Sequence, residues 1–405
     1  MLDKSFFELT VDHARGTFFV SDRDRIKSYS LSSTVKNHSR FNTGEEPLPV
    51  HTLDSRRSGP MAVIGSRLFH TGSSNIGVWD IDTLPTHGPE GMDIIGDELT
   101  ADDLDTYRSE YDLEFSSGTE AHREITVADS ARGYIESWAQ HPSGRPSMIC
   151  AWGGEWHHRA AYGCVTIDLE TGQLAERWLG HGGKVHHVRT NSALPNYFVT
   201  SCGDGTSRLY DVRVPVPVFA PYTLDEHVFE AILLEVDGKP FIASAGAGTQ
   251  SIRMWDVQGQ KCLYELATGN NEVSAMAWDA SNQTLFAATE CQSLDRIGYH
   301  HNYRRYKPTP WEKQEQAATR RASGDMSVDE EDEEEEEYED VDDDDDDDDY
   351  EERCWPKSAF RSEDYWGYSF DAGDHRLFRY TFKHDANIEI VPPYGDATME
   401  SGDFW

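Results

Sequence analysis

Long hydrophobic runs are missing from this chain of 405 residues: no stretch of eighteen apolar residues occurs, which excludes a helix spanning a bilayer. The N-terminus Met1-Leu2-Asp3-Lys4-Ser5 has no apolar run behind a basic start, so no secretory leader is expected. Cysteine is sparse and unpatterned: Cys150, Cys164, Cys202, Cys262, Cys291 and Cys354 form no Cys-x-x-Cys pair and read as free core thiols of a reducing compartment. The chain is therefore expected in the nucleus, the cytoplasm or both. The motifs of common chemistries are absent too, with no Gly-x-Ser-x-Gly, no P-loop, no His-Glu-x-x-His and no kinase set. The expectation is a protein that is not an enzyme and holds no metal and no cofactor.

Basic charge is the other shortage. Against 36 Lys and Arg stand 74 Asp and Glu, a formal net charge of -38. Residues 329–352 hold 21 acids and no Lys or Arg, broken only by Tyr338, Val341 and Tyr350. Residues 88–122 add eleven acids against Arg108 alone, so the remaining chain carries only about -7. A block of this density repels itself into a solvated polymer and adds nothing to a core. Such charge disfavours direct nucleic-acid and anionic-membrane binding and favours other proteins, basic ones such as histone or ribosomal proteins, as partners. The tract reads either as a solvating loop or as an electrostatic clamp whose tyrosines contact Arg. Nothing in the sequence sets an oligomeric state.

What is present is a repeat. Ile76-Gly77-Val78-Trp79-Asp80, Ser207-Arg208-Leu209-Tyr210-Asp211 and Ile252-Arg253-Met254-Trp255-Asp256 are alternating apolar runs ending in aromatic-Asp, with Val165-Thr166-Ile167-Asp168 a weaker copy. Asp168, Asp211 and Asp256 lie 43 and 45 apart, and Asp80 precedes Asp168 by 88, which is one repeat plus the acid-rich insertion. Period-two patterning with turn residues between runs predicts strands, and a repeat of this length holding four of them is a propeller blade. The clearest unit runs from Gly180-His181 through Tyr197-Phe198-Val199-Thr200-Ser201 and the turn Gly203-Asp204-Gly205 to Tyr210-Asp211.

That unit resembles a WD40 repeat. The resemblance implies an all-β, WD40-type β-propeller with seven blades, six and eight being the alternatives, and two acidic loop insertions. It also implies a hydrogen-bonded blade network of His181, Ser201, Asp204 and Tyr210, with a Tyr hydroxyl in place of an indole N–H. Blades whose turn Asp is replaced, by Ser73 before Trp79 and Thr249 before Trp255, are expected to lack the full network. Seven units are read at 5–52, 56–127, 131–178, 180–220, 222–266, 271–306 and 358–391. The domain reading is blades one to six over 1–311 with the insertion 88–122, a disordered acidic insertion over 312–356, a last blade over 357–391 and a tail over 392–405. Both acidic stretches then follow the third strand of their units and leave one face of the ring. Within 99–115, Thr100 as N-cap and Leu104, Tyr107 and Tyr111 on one face predict a short amphipathic helix.

The function expected is a non-catalytic scaffold for protein–protein interaction, binding basic proteins through the acidic loops. The alternative comes from Tyr210-Asp211-Val212-Arg213, which resembles the Trp-Asp-x-Arg box by which some WD40 proteins dock on the cullin-4 ubiquitin-ligase adaptor, and it would make Arg213 the contact. Arg320-Arg321-Ala322-Ser323 suits a basophilic kinase, and Ser327 with Glu330 an acidophilic one, so Ser323 and Ser327 are candidate phosphorylation sites. The doublets His157-His158, His186-His187 and His300-His301 do not read as a metal site, because neighbours on a strand point to opposite faces.

Overall fold

The structure, a computed structural model, describes residues 8–22, 24–31, 48–99, 116–128, 134–153, 163–222, 228–246, 251–269, 271–290, 303–305, 354–356 and 375–382. Alternating runs become strands, and consecutive strands become meanders. The first sheet is β1 (Glu8–Asp12), β2 (Thr17–Ser21), β3 (Arg25–Ser30) and β4 (His51–Asp54), paired in that order. The second is β5 (Met61–Ile64), β6 (Arg67–Thr71), β7 (Asn75–Asp80) and β8 (Arg123–Thr126); the third is β9 (Tyr134–Gln140), β10 (Ser147–Gly153), β11 (Gly163–Asp168) and β12 (Leu174–Trp178). The fourth is β13 (Val185–Thr190), β14 (Tyr197–Cys202), β15 (Ser207–Asp211) and β16 (Pro217–Phe219), and the fifth is β17 (Val228–Val236), β18 (Lys239–Gly246), β19 (Ser251–Asp256) and β20 (Lys261–Ala267).

The sixth sheet corrects the blade count. β21 (Glu272–Asp279) and β22 (Thr284–Glu290) pair with β25 (Arg376–Thr381), with Thr284 opposite Thr381 and Thr289 opposite Arg376. The stretches read as units six and seven thus form one blade, and the β-propeller has six blades among the described residues, not seven. Between β22 and β25 lies a two-stranded ribbon of β23 (Tyr303–Arg305) and β24 (Cys354–Pro356), which brackets 306–353. Loop closure costs grow only slowly with length, so a sheet tolerates a connection this long.

The two acid-rich connections also separate. Residues 81–122 join the third and fourth strands of the second sheet, whereas 291–375 join the second and third strands of the sixth. The reading that both acidic stretches follow the third strand of a blade therefore holds for 88–122 and not for 329–352. The described ends of 88–122 are fixed to β4 rather than free. Thr119 N–H donates to Thr52 O, Asp54 N–H donates to Thr119 O, and the Ile95 N–H donates to the buried Ser116 Oγ at 2.7 Å. The rest of both stretches, including the helix expected over 99–115, Ser323 and Ser327, lies outside the described residues.

The chain divides into two compact units, Met1–Ile242 with Asp256–Lys261, and Ala243–Trp255 with Cys262–Trp405. In the first unit the core lies between neighbouring sheets. Phe19, Ile26 and Leu53 pack on Met61, Leu68 and Trp79; Phe69, Ile76 and Val78 pack on Trp138, Met148 and Ile167; and Ile149, Cys164 and Trp178 pack on Val185, Phe198 and Tyr210. Each sheet is apolar on both faces, so face-to-face stacking is what buries it. Gly205 supplies the turn between β14 and β15 with φ of 78°, and Gly172 (φ 71°) lets the β11–β12 turn press on β8, where a Cβ would stand 2.1 Å from Thr126 O. Cys150, Cys164 and Cys202 are buried thiols as read, whereas Cys262 is exposed on β20.

Candidate functional site

In the fourth sheet the tie between strands is built from a loop histidine. His181 Nε2 lies 3.0 Å from Thr200 Oγ1, and the Tyr210 hydroxyl donates to Leu179 O at 2.7 Å while sitting 3.3 Å from His181 Nε2. Burial, followed by the Arg208 charge, pushes His181 down to about 4, so the ring is neutral at physiological pH. Asp204 belongs to the turn and not to the ring contact: it accepts from Gly182 N–H at 2.7 Å and from Arg208 Nη1 and Nη2 at 3.0 and 2.6 Å. Burial acts to raise its carboxyl, but Arg208, Gly182 and the Cys202 thiol outweigh that and hold it at about 2. Ser201 turns the other way. Its hydroxyl donates to Phe229 O at 2.8 Å and accepts from His187 N–H, so it joins β13 and β17, and Thr200 is the hydroxyl that meets His181.

The second sheet carries the same tie with its parts exchanged. Trp79 is opposite Leu68 as Tyr210 is opposite Phe198, and two residues on stand His70 and Thr200 respectively. In the second sheet the strand supplies the imidazole and the preceding loop supplies the hydroxyl, Ser55 Oγ lying 2.7 Å from His70 Nδ1. His70 is pushed down to about 4 by burial and by Arg57, whose guanidinium lies over the Trp79 ring at 5.5 Å and pairs with Glu124. The Trp79 indole donates to Thr119 O at 2.9 Å. In the fifth sheet Trp255 Nε1 donates to Ser244 Oγ at 2.9 Å. Sheets without the turn Asp therefore still have ties, of a composition that the Gly-His signature does not describe.

Arg213 lies on the turn after β15, its side chain 70% exposed and its Nε 2.8 Å from Asp211 Oδ1, with a second contact from Nη2 to Oδ2. The guanidinium is held by its own turn.

A third cluster had no signature in the sequence. The first strands of the third, fourth and fifth sheets pack side by side in the first unit, where Val188 N–H donates to Ser137 Oγ. Lys184 Nζ lies 2.8 Å from Glu136 Oε2, and Arg189 Nη2 lies 2.9 Å from Glu230 Oε2. His187 Nε2 is 3.7 Å from the same Glu230 oxygen, and Glu230 Oε1 has no hydrogen-bond partner. Burial pushes Glu230 up to about 7 against the pull of Arg189. Burial and then Arg189, His186 and Lys184 push His187 down to about 3. The doublet splits as strand geometry requires, since His186 packs against Phe229 with ring centroids 4.8 Å apart while His187 faces Glu230. The doublets at 157–158 and 300–301 lie outside the described residues. Among the described residues no group of three or more His, Cys, Asp or Glu side chains is placed to hold a metal ion.

Repeated meanders, aromatic-Asp strand ends and imidazole–hydroxyl ties define a WD40-repeat β-propeller. The chain is similar to guanine nucleotide-binding protein subunits beta. One from Oryza sativa subsp. indica is 25% identical over 205 residues, covering 47% of this chain and 52% of that protein, and one from Zea mays is 26% identical over the same shares. One from Solanum tuberosum is 27% identical over 165 residues, 38% of this chain and 41% of its own. The chain thus spans about half the length of the relatives it matches. No protein-family model matches it.

Proposed function

We propose that this chain is a non-catalytic scaffold for protein–protein interaction, with basic proteins of histone or ribosomal type as the partners of its acidic stretches 329–352 and 88–122. The observation that carries this reading is the use made of its acid–base pairs. His181 with Thr200 and Ser55 with His70 are the pairings from which nucleophilic catalysis is built, and both sit inside blades, tying strand to loop. Burial lowers both histidines to about 4, which makes them weak general bases, and the Ser55 and Thr200 hydroxyls are buried. Partial similarity to proteins named as subunits supports the same direction, since a subunit works in an assembly. The charge excess in two connections offers long-range attraction to a basic surface, screened beyond about 10 Å at 0.1 M salt.

Recovery of bound proteins by the full chain and by a chain lacking 329–352 tests the reading. Loss of the basic proteins, with steep salt sensitivity in the intact chain, is the expected result; unchanged recovery rules out the clamp. The ubiquitin-ligase receptor reading rests on the exposed Arg213. An Arg213→Ala chain that recovers the same cullin-4 adaptor rules that reading out.

A further inference from the structure

The cluster around Glu230 is unusual in where its charges stand. In a chain of net charge -38, the head groups that solvent meets here are cationic or neutral: Lys184 is 47% exposed, Arg189 35% and His187 33%. The carboxylates paired with these cations lie beneath them, Glu136 at 13% and Glu230 at 0%, and Glu8 of β1 is a further, partly exposed carboxylate that interacts with the Arg189 charge. A ligand arriving at these strands meets donors first. Glu230 is shaped to change that contact, because Oε2 holds Arg189 while Oε1 bonds to nothing. A proton can add at Oε1 without displacing the Arg189 contact at Oε2, and the neutral acid then loses most of its electrostatic hold on the guanidinium.

We propose that Arg189 is a proton-gated seat for a carboxylate of a partner protein: ionised Glu230 holds the guanidinium closed, and protonated Glu230 releases it to an incoming Asp or Glu side chain. A carboxylate fits because the planar guanidinium pairs with it through two parallel N–H donors. Other charged and titratable groups also face this point. His187 stays neutral down to about 3, Lys184 is held by Glu136, and Glu8 on β1, itself raised by burial, feels Arg189 as an attractive charge. β13 brings His186, which packs against Phe229; β9 brings Tyr134, raised by burial and by Glu136; β14 brings Tyr197 and Cys202, the latter a thiol raised by burial; and β17 and β18 bring Glu235 and Lys239 at their far ends. The seat is independent of the acidic stretches and takes a partner group of the opposite sign.

The test uses the full chain and a rhodamine-labelled, end-blocked hexaglutamate peptide, read by fluorescence anisotropy at about pH 6 and about pH 8, a window in which the peptide stays ionised. Wild type is expected to bind about tenfold more tightly at the lower pH, following the protonated fraction of a group titrating near 7. Glu230→Gln is expected to bind equally at both, as tightly as wild type at the lower pH. Glu230→Gln combined with Arg189→Ala leaves no buried charge behind and is expected to lose binding, while Glu230→Gln with Arg189→Lys keeps the charge and loses several-fold. Circular dichroism confirms that each variant is folded. Equal wild-type affinity at the two pH values, binding that survives the double Gln/Ala change, or no binding of the peptide by either wild type or Glu230→Gln at the lower pH overturns the proposal.

Discussion

The second and fourth blades solve one problem with exchanged parts. In the fourth, a histidine in the entering loop reaches a threonine on the second strand; in the second, a serine in the entering loop reaches a histidine on that strand. Both sit beside a fully buried aromatic of the third strand, Tyr210 or Trp79. What the geometry requires is one imidazole and one hydroxyl across the loop–strand gap, because a polar group buried there without a partner costs about 1–3 kcal/mol. Which side supplies which is free. The acidic turn is the true difference: Asp204 fixes its loop through Arg208 and Gly182, while the second blade fastens its edge through Thr119 and the Arg57–Glu124 pair.

If both aromatics anchor their blades equally, Trp79→Ala and Tyr210→Ala should each cost about 3–5 kcal/mol in denaturant unfolding; a much smaller loss at Trp79 would show the second blade to be the looser one. Acid should weaken both ties alike. His70 and His181 titrate at about 4 when folded and near 6.5 when unfolded, so the unfolded chain binds more protons between those values. Stability should therefore fall as pH drops through that window, by about 3 kcal/mol for each ring, and His70→Asn or His181→Asn should flatten the slope of the unfolding midpoint by comparable amounts. Glu230 acts with the opposite sign: raised to about 7, it favours the folded state at low pH and loses that contribution as pH rises from 4.5 to 7. Glu230→Gln should accordingly steepen the acid loss.

A finer comparison is Ser55→Ala against Thr200→Val. Each removes the hydroxyl that meets a buried ring nitrogen, so each should cost about 1–2 kcal/mol; a large imbalance would show that the exchange of roles is not energetically neutral. Arg213→Ala, on an exposed turn, should leave the unfolding midpoint unchanged.

The same two blades mark what the sequence makes legible. The fourth has its glycine-histidine, turn aspartate and aromatic at their usual spacing, and its strands fall where the spacing places them. Even there the choice of Ser201 over its neighbour misses by one residue, which on a strand is the difference between two faces; Ser201 points to Phe229 and Thr200 to His181. The tie in the second blade has no signature, because Ser55 is an ordinary loop serine until the fold sets it against His70. The blade count fails for a related reason. Counting repeats assumes that the strands of one blade are neighbours in sequence, and 291–375 separates β22 from β25, so one sheet reads as two units. The Glu230 cluster is invisible for the opposite reason, since its members come from different blades and meet only where first strands pack together.

In the function proposed above, the imidazole–hydroxyl pairs are structural and partners are met by charge on the connections. The most direct measurement is recovery of bound proteins by wild type, His70→Asn, His181→Asn and the chain lacking 329–352, compared at equal folded fraction. Both histidine variants should recover the wild-type set while the deletion loses its basic members. Loss of partners from a folded histidine variant, with the deletion unaffected, would contradict the account.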